Sequence, residues 1–258
     1  MSPGPTRRPL VLLNGLAATT ADWDPAFLTA LAERHDVAAI EHRGMGGRPD
    51  GGADFTIEDR GLDAPVVLGW SLGGMVAQAL ALSRPDLVGA LALLATSPGG
   101  PHSPPIPDSV LETIADLSAP PREQASRLID LLFPPTLARG IDAEFGELVA
   151  AARGGLSPDP LRRQVAAIRG WQAGGAAGRL DQIAGPVLVA CGMQDTVVSP
   201  AASLVLTEGI PSAWLARFPD AGHALMAQAP HEVTTLVGLI GARSGNRTQT
   251  GPCARLPP

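Results

Sequence analysis

Ser71 stands between two glycines in the stretch Leu68-Gly69-Trp70-Ser71-Leu72-Gly73-Gly74, after one apolar run and before a helix-like one. A serine hydroxyl is a weak nucleophile until a base takes its proton and donors hold the oxyanion it creates. A Gly-X-Ser-X-Gly turn between a strand and a helix meets that need, because the serine adopts a strained backbone that tolerates no side chain two residues away on either side. Gly69 and Gly73 fill those places, and Leu72 offers its N–H at a helix N-terminus, where negative charge is favoured. The bland alternative is that Ser71 is a small residue in a tight turn.

Two further residues weigh against that alternative. Asp195 lies in "GMQDTVV", directly after the apolar run "PVLVAC", and His223 lies in "FPDAGHALM", after the run that follows. A carboxylate, an imidazole and a hydroxyl, each at the end of a strand, are the parts of an acyl-transfer site. Asp220 is the other candidate acid, but only two residues separate it from His223, too few for a straight carboxylate–imidazole hydrogen bond. Asp195 is therefore preferred. The other histidines read as structural or exposed: His35 at the end of a surface helix, His42 in a glycine loop, His102 among prolines, and His231 opening the last helix. None has metal-ligand spacing, so no metal site is expected.

These side chains need a scaffold that brings distant strand ends together. Short apolar runs at 9–14, 36–41, 64–70, 90–96, 186–191 and 213–218 alternate with helical periodicity. Strands apolar along their whole length, separated by helices, imply a parallel sheet covered on both faces. Residues 98–180 differ: prolines introduce several helical patterns ("SVLETIADL", "REQASRLIDLLF", "AEFGELVAAAR", "LRRQVAAIRGWQA") with no strand between them. The expected organisation is an α/β core of residues 1–97 and 181–243, a helical lid inserted at 98–180, and a disordered tail at 244–258.

At 258 residues the chain is long enough for one such domain with its insertion. All 19 basic residues are arginine, and the net charge of −6 excludes a nucleic-acid-binding surface. No apolar run is long enough to span a membrane. The two cysteines, Cys191 ending an apolar run and Cys253 in the polar tail, are not placed to pair, and a cytoplasmic location is expected.

These motifs resemble the α/β-hydrolase superfamily, in its lid-bearing branch of esterases and lactonases. The matching stretches are "LLNGL", "EHRGMGGRPD", "GWSLGG", "GMQDTVVSP" and "AGHALM". The segment from "GWSLGG" to "LLATSP" is most like pimeloyl-ester carboxylesterases and 3-oxoadipate enol-lactonase-like enzymes. The resemblance implies the order Ser71, Asp195, His223 as catalytic residues, Leu16 beside Leu72 as the second oxyanion donor, and no cofactor. It implies a serine hydrolase of a small-molecule carboxylic ester or lactone. The alternatives are a thioesterase or C–C bond (β-diketone) hydrolase, and an inactive or ligand-binding relative.

Three departures stand out. Asn14 replaces the family's usual histidine, the family's N-terminal hairpin is expected to be missing, and "FTIEDRGLD" offers two turns where a full helix is usual. A mostly parallel sheet of about six strands is expected, with the strand at 36–41 at an exposed edge. Trp70, Leu225 and Met226 beside the reacting residues, and Trp171 where the lid rejoins the sheet, are expected to line an apolar acyl pocket. Leu132 and Phe133 are read as ordinary helix packing. The sequence leaves the natural substrate and oligomeric state open.

Overall fold

The computed structural model describes residues 7–49, 62 and 64–244. Six strands form one sheet: β1 (Arg8–Leu13), β2 (His35–Ile40), β3 (Val66–Trp70), β4 (Ala90–Leu94), β5 (Val187–Gly192) and β6 (Ala213–Phe218). Their order is β2-β1-β3-β4-β5-β6 and every pair is parallel. The sheet therefore has the size expected, and β2 is the edge strand. The two-turn stretch "FTIEDRGLD" falls almost entirely outside the described residues, as does the tail beyond Ser244.

The sheet is buried on both faces because its strands alternate one apolar set against another. Leu10, Leu12, Leu68, Trp70, Leu94 and Leu188 point to the face covered by α1 (Pro25–Ala32) and α9 (Pro230–Ser244). Val11, Leu13, Val67, Leu93 and Val189 point to the opposite face, under α2 (Leu72–Ser83) and α7 (Pro200–Gly209). Local sequence starts these helices: Asp24 accepts from the Phe27 N–H at 2.8 Å ahead of Pro25, and Ser199 caps α7 ahead of Pro200. His35 is a correction to the sequence reading. It opens β2 rather than ending a helix, and it is buried beside Gly241 of α9.

Between β4 and β5 the chain makes α3 (Asp108–Ala115), α4 (Pro121–Leu132), α5 (Pro135–Gly154) and α6 (Pro158–Ala173). Leu161, Val165 and Ile168 recur at helical spacing on one face of α6. That face joins an apolar cluster with Leu16, Leu72 and Met75 of the core and with Leu111 of α3.

Strand order decides where a site can form. The chain passes from β1 outward to β2, then returns to the other side of β1 as β3, so the order reverses between β1 and β3. Loops leaving the carboxyl ends of such a strand pair diverge and leave a crevice. The loop after β1 holds Leu16, and the turn after β3 holds Ser71.

Candidate active site

Ser71 sits between β3 and α2 at φ 55°, ψ −117°, a region sparsely used by residues with a side chain. Its N–H donates to Leu94 O at 2.9 Å, and its carbonyl accepts from Thr96 Oγ1 at 2.7 Å. The glycines on either side have specific reasons. A Cβ on Gly69 would lie 2.3 Å from Gly73 O, and one on Gly73 would lie 2.1 Å from Leu13 O. Because those obstacles are backbone, they cannot swing aside. Gly73→Ala is therefore expected to cost about 3 kcal/mol, seen as a fall of roughly 6–12 °C in the melting temperature.

Ser71 also occupies the N-cap position of α2, yet its side chain makes no capping hydrogen bond. A serine there ordinarily accepts from one of the next N–H groups. Among the described residues neither the Leu72 N–H nor the Leu16 N–H forms a hydrogen bond. Both oxyanion candidates are thus unspent donors.

Asp195 and His223 come together at the ends of β5 and β6. His223 Nδ1 donates to Asp195 Oδ2 at 2.8 Å, and both side chains are almost fully buried. Asp195 Oδ1 accepts from the N–H groups of Val197 at 2.8 Å and Val198 at 2.9 Å. Both carboxylate oxygens are therefore committed, and with Nδ1 as the donor, Nε2 is the imidazole's free acceptor. The two loops are laced together by Met193 N to Phe218 O and Gln194 N to Ala221 O, each 2.9 Å. Gly192 permits the approach, since a Cβ there would lie 2.2 Å from Gly222 O.

Trp70 links this pair to the serine turn. Its Nε1 donates to His223 O at 3.0 Å, and its ring lies 5.6 Å from the imidazole, centroid to centroid. No hydrogen bond joins Ser71 Oγ to His223 among the described residues. In ligand-free sites such bonds are often long and close only around substrate.

The residues expected to line an apolar acyl pocket fall in more than one packing cluster. Trp70, Leu225 and Met226 belong to the core cluster that contains Trp23 and Phe27. Trp171 donates from Nε1 to Ser97 O at 3.0 Å where the helical segment rejoins the core. Leu16 and Leu72 cluster with Met75, Ile106, Leu161, Val165 and Ile168, and Trp171 packs against that cluster. The helical signal at Leu161, Val165 and Ile168 was available in the sequence, but nothing in it says which surface that face covers. Leu132 does more than pack: its carbonyl accepts from Ala224 N at 3.0 Å, tying the end of α4 to the histidine loop.

Sequence reasoning also missed Glu41, which holds the loop after β1 in shape. Its Oε1 accepts from Thr20 N at 2.8 Å and from Thr20 Oγ1 at 2.6 Å, and its Oε2 accepts from Asn14 Nδ2 at 3.1 Å. Asn14 Oδ1 accepts in turn from Trp23 Nε1 at 2.7 Å, and its carbonyl pairs with His42 Nε2 at 2.9 Å. Burial, partly offset by that bond, lowers the His42 pKa below the usual imidazole range. The residue standing in for the usual histidine is thus a buried strut, bonded through its side-chain nitrogen, side-chain oxygen and carbonyl.

With this geometry established, comparison with known proteins gives it a family. A model of the alpha/beta hydrolase family matches residues 10–236. The chain belongs to that family. Among similar alpha/beta hydrolases is the pimeloyl-[acyl-carrier protein] methyl ester esterase of Chromobacterium violaceum, 31% identical over 75% of this chain and 79% of that protein. The putative carbamate hydrolase RutD of Rhizobium rhizogenes is 29% identical over 90% of this chain and 92% of that protein. A solved hydrolase from Pseudomonas aeruginosa PA01 superposes with a TM-score of 0.75 at 26% identity, over 92% of this chain and 91% of that one.

Proposed function

We propose that this alpha/beta hydrolase is a serine hydrolase that cleaves a small carboxylic ester or lactone through an acyl-enzyme on Ser71. The observation that carries the reading is the His223–Asp195 pair, with Asp195 Oδ1 saturated and His223 Nε2 left as acceptor at the same sheet end as an uncapped serine. His223 takes the Ser71 proton as Oγ attacks the carbonyl carbon. The Leu16 and Leu72 N–H groups receive the oxyanion, and Asp195 stabilises the imidazolium. The imidazolium then protonates the leaving alcohol, and the neutral ring activates a water that releases the acid. The relatives' names, one a methyl ester esterase and one a putative carbamate hydrolase, agree with acyl transfer of this kind.

Ser71 is 5% and His223 2% exposed, so helices α3 to α6 act in this reading as a lid that must shift to admit substrate. A fluorophosphonate probe tests the proposal directly. It should attach to one site, and peptide mapping should place it on Ser71, with hydrolysis of short p-nitrophenyl esters lost in proportion to labelling. A protein that stays unlabelled and does not turn over aryl esters, lactones or thioesters would refute it.

A further inference from the structure

Gln164 is a polar residue on the apolar face of α6, three positions after Leu161 and four before Ile168. Its residue exposure is 8%, and its side chain crosses to the core, where Oε1 accepts from the Ala17 N–H at 2.9 Å. Ala17 follows the oxyanion candidate Leu16 and has φ 59°, an unusual angle for alanine.

That bond fixes the amide's orientation. A backbone N–H can only donate, so the atom facing it must be the carbonyl oxygen, and the NH2 group must face the other way. Gln164 Nε2 is buried and has no hydrogen-bond partner among the described residues. The residue that Gln164 anchors, Ala17, follows Leu16, and Leu161, Val165 and Ile168 on the same helix cluster with Leu16 and Leu72. Leaving such a donor unpaired is costly, whereas anchoring Ala17 requires only an acceptor. An acceptor entering beside the loop that holds Leu16 and Ala17 would satisfy the unused donor.

We propose that Gln164 is a substrate-contact residue whose NH2 group donates to an acceptor oxygen on the substrate additional to those of the scissile ester. The preferred substrates are then oxygen-bearing esters or lactones, with a keto, ether or carboxylate oxygen near the reacting carbonyl. This rests on the serine-hydrolase reading and names the chemistry its pocket selects.

The test compares p-nitrophenyl esters of plain acyl chains with those carrying one ether oxygen at successive acyl positions, and butyrate esters of plain alkyl alcohols with those of alcohols carrying one ether oxygen. Each kcat/KM ratio is divided by the same ratio for hydroxide-catalysed hydrolysis, which removes intrinsic reactivity. Wild type should favour the oxygen-bearing ester at one position by about 10- to 100-fold. Gln164→Met should erase that preference, whatever it does to the rate with plain esters. A role confined to holding Ala17 predicts an equal loss on both esters, leaving the ratio unmoved, and that result would overturn the proposal. So would a wild-type enzyme with no preference at any position, a measurement that stands even if the variant fails to fold. A protein that labels and turns over plain esters without preference refutes the role of Gln164 alone; one that neither labels nor turns over fails the hydrolase reading itself.

Discussion

Ser71→Ala should lower kcat for any ester the wild type hydrolyses by about 10⁵- to 10⁶-fold, because nucleophile and base act as one unit. Melting temperature should barely move. The hydrogen bonds that hold this turn, Ser71 N to Leu94 O and Thr96 Oγ1 to Ser71 O, are made by the residue's backbone and survive the change. The hydroxyl, by contrast, makes no capping bond in the folded protein. A large loss of activity with near-constant stability separates a nucleophile from a turn residue, which would show neither.

A companion variant sharpens the point. At φ 55° glycine is easier to accommodate than serine, so Ser71→Gly should be equally inactive and about 1 kcal/mol more stable. Stability gained while activity disappears would mean that the side chain is kept at a conformational cost for its chemistry. Wild-type-like turnover by either purified variant would remove Ser71 from the mechanism.

The strands were legible because a sheet covered on both faces demands uninterrupted apolar runs, and "PLVLLN", "APVVLGW" and "PVLVAC" have no competing helical period. The turn around Ser71 was legible because backbone crowding at Gly69 and Gly73 leaves glycine as the residue that fits. Substrate contacts were harder to read. Trp70 is adjacent to Ser71 in sequence, and alternation along β3 places its ring against His223 and Trp23, a pairing that only the fold reveals. Gln164 and Glu41 act through partners 147 and 21 residues away, a separation no local pattern encodes. His35 was misread because the helical pattern runs one turn beyond α1, which ends at Ala32 before the chain turns into β2.

Asp195→Asn should lower kcat by about 10⁴-fold, the scale seen when a triad aspartate is made an amide, with little change in substrate binding. The direction follows from what each carboxylate oxygen contacts. Oδ1 accepts two backbone N–H groups, from Val197 and Val198, and those donors cannot reverse their polarity. In the asparagine variant the amide oxygen must therefore take the Oδ1 place, which puts NH2 where Oδ2 faces His223 Nδ1. Two donors cannot pair, so the imidazole adopts the other tautomer, with its proton on Nε2. The nitrogen that should receive the Ser71 proton is then already occupied, and the charged form of the ring loses its counter-ion. Because the defect lies in the base, raising the pH should recover part of the rate as Ser71 ionises without help, whereas Ser71→Ala should stay inactive at every pH. Steady-state kinetics of both variants between neutral and strongly alkaline pH would check this. Normal activity in Asp195→Asn would transfer the orienting role to another acid, with Asp220 the nearest in sequence to His223.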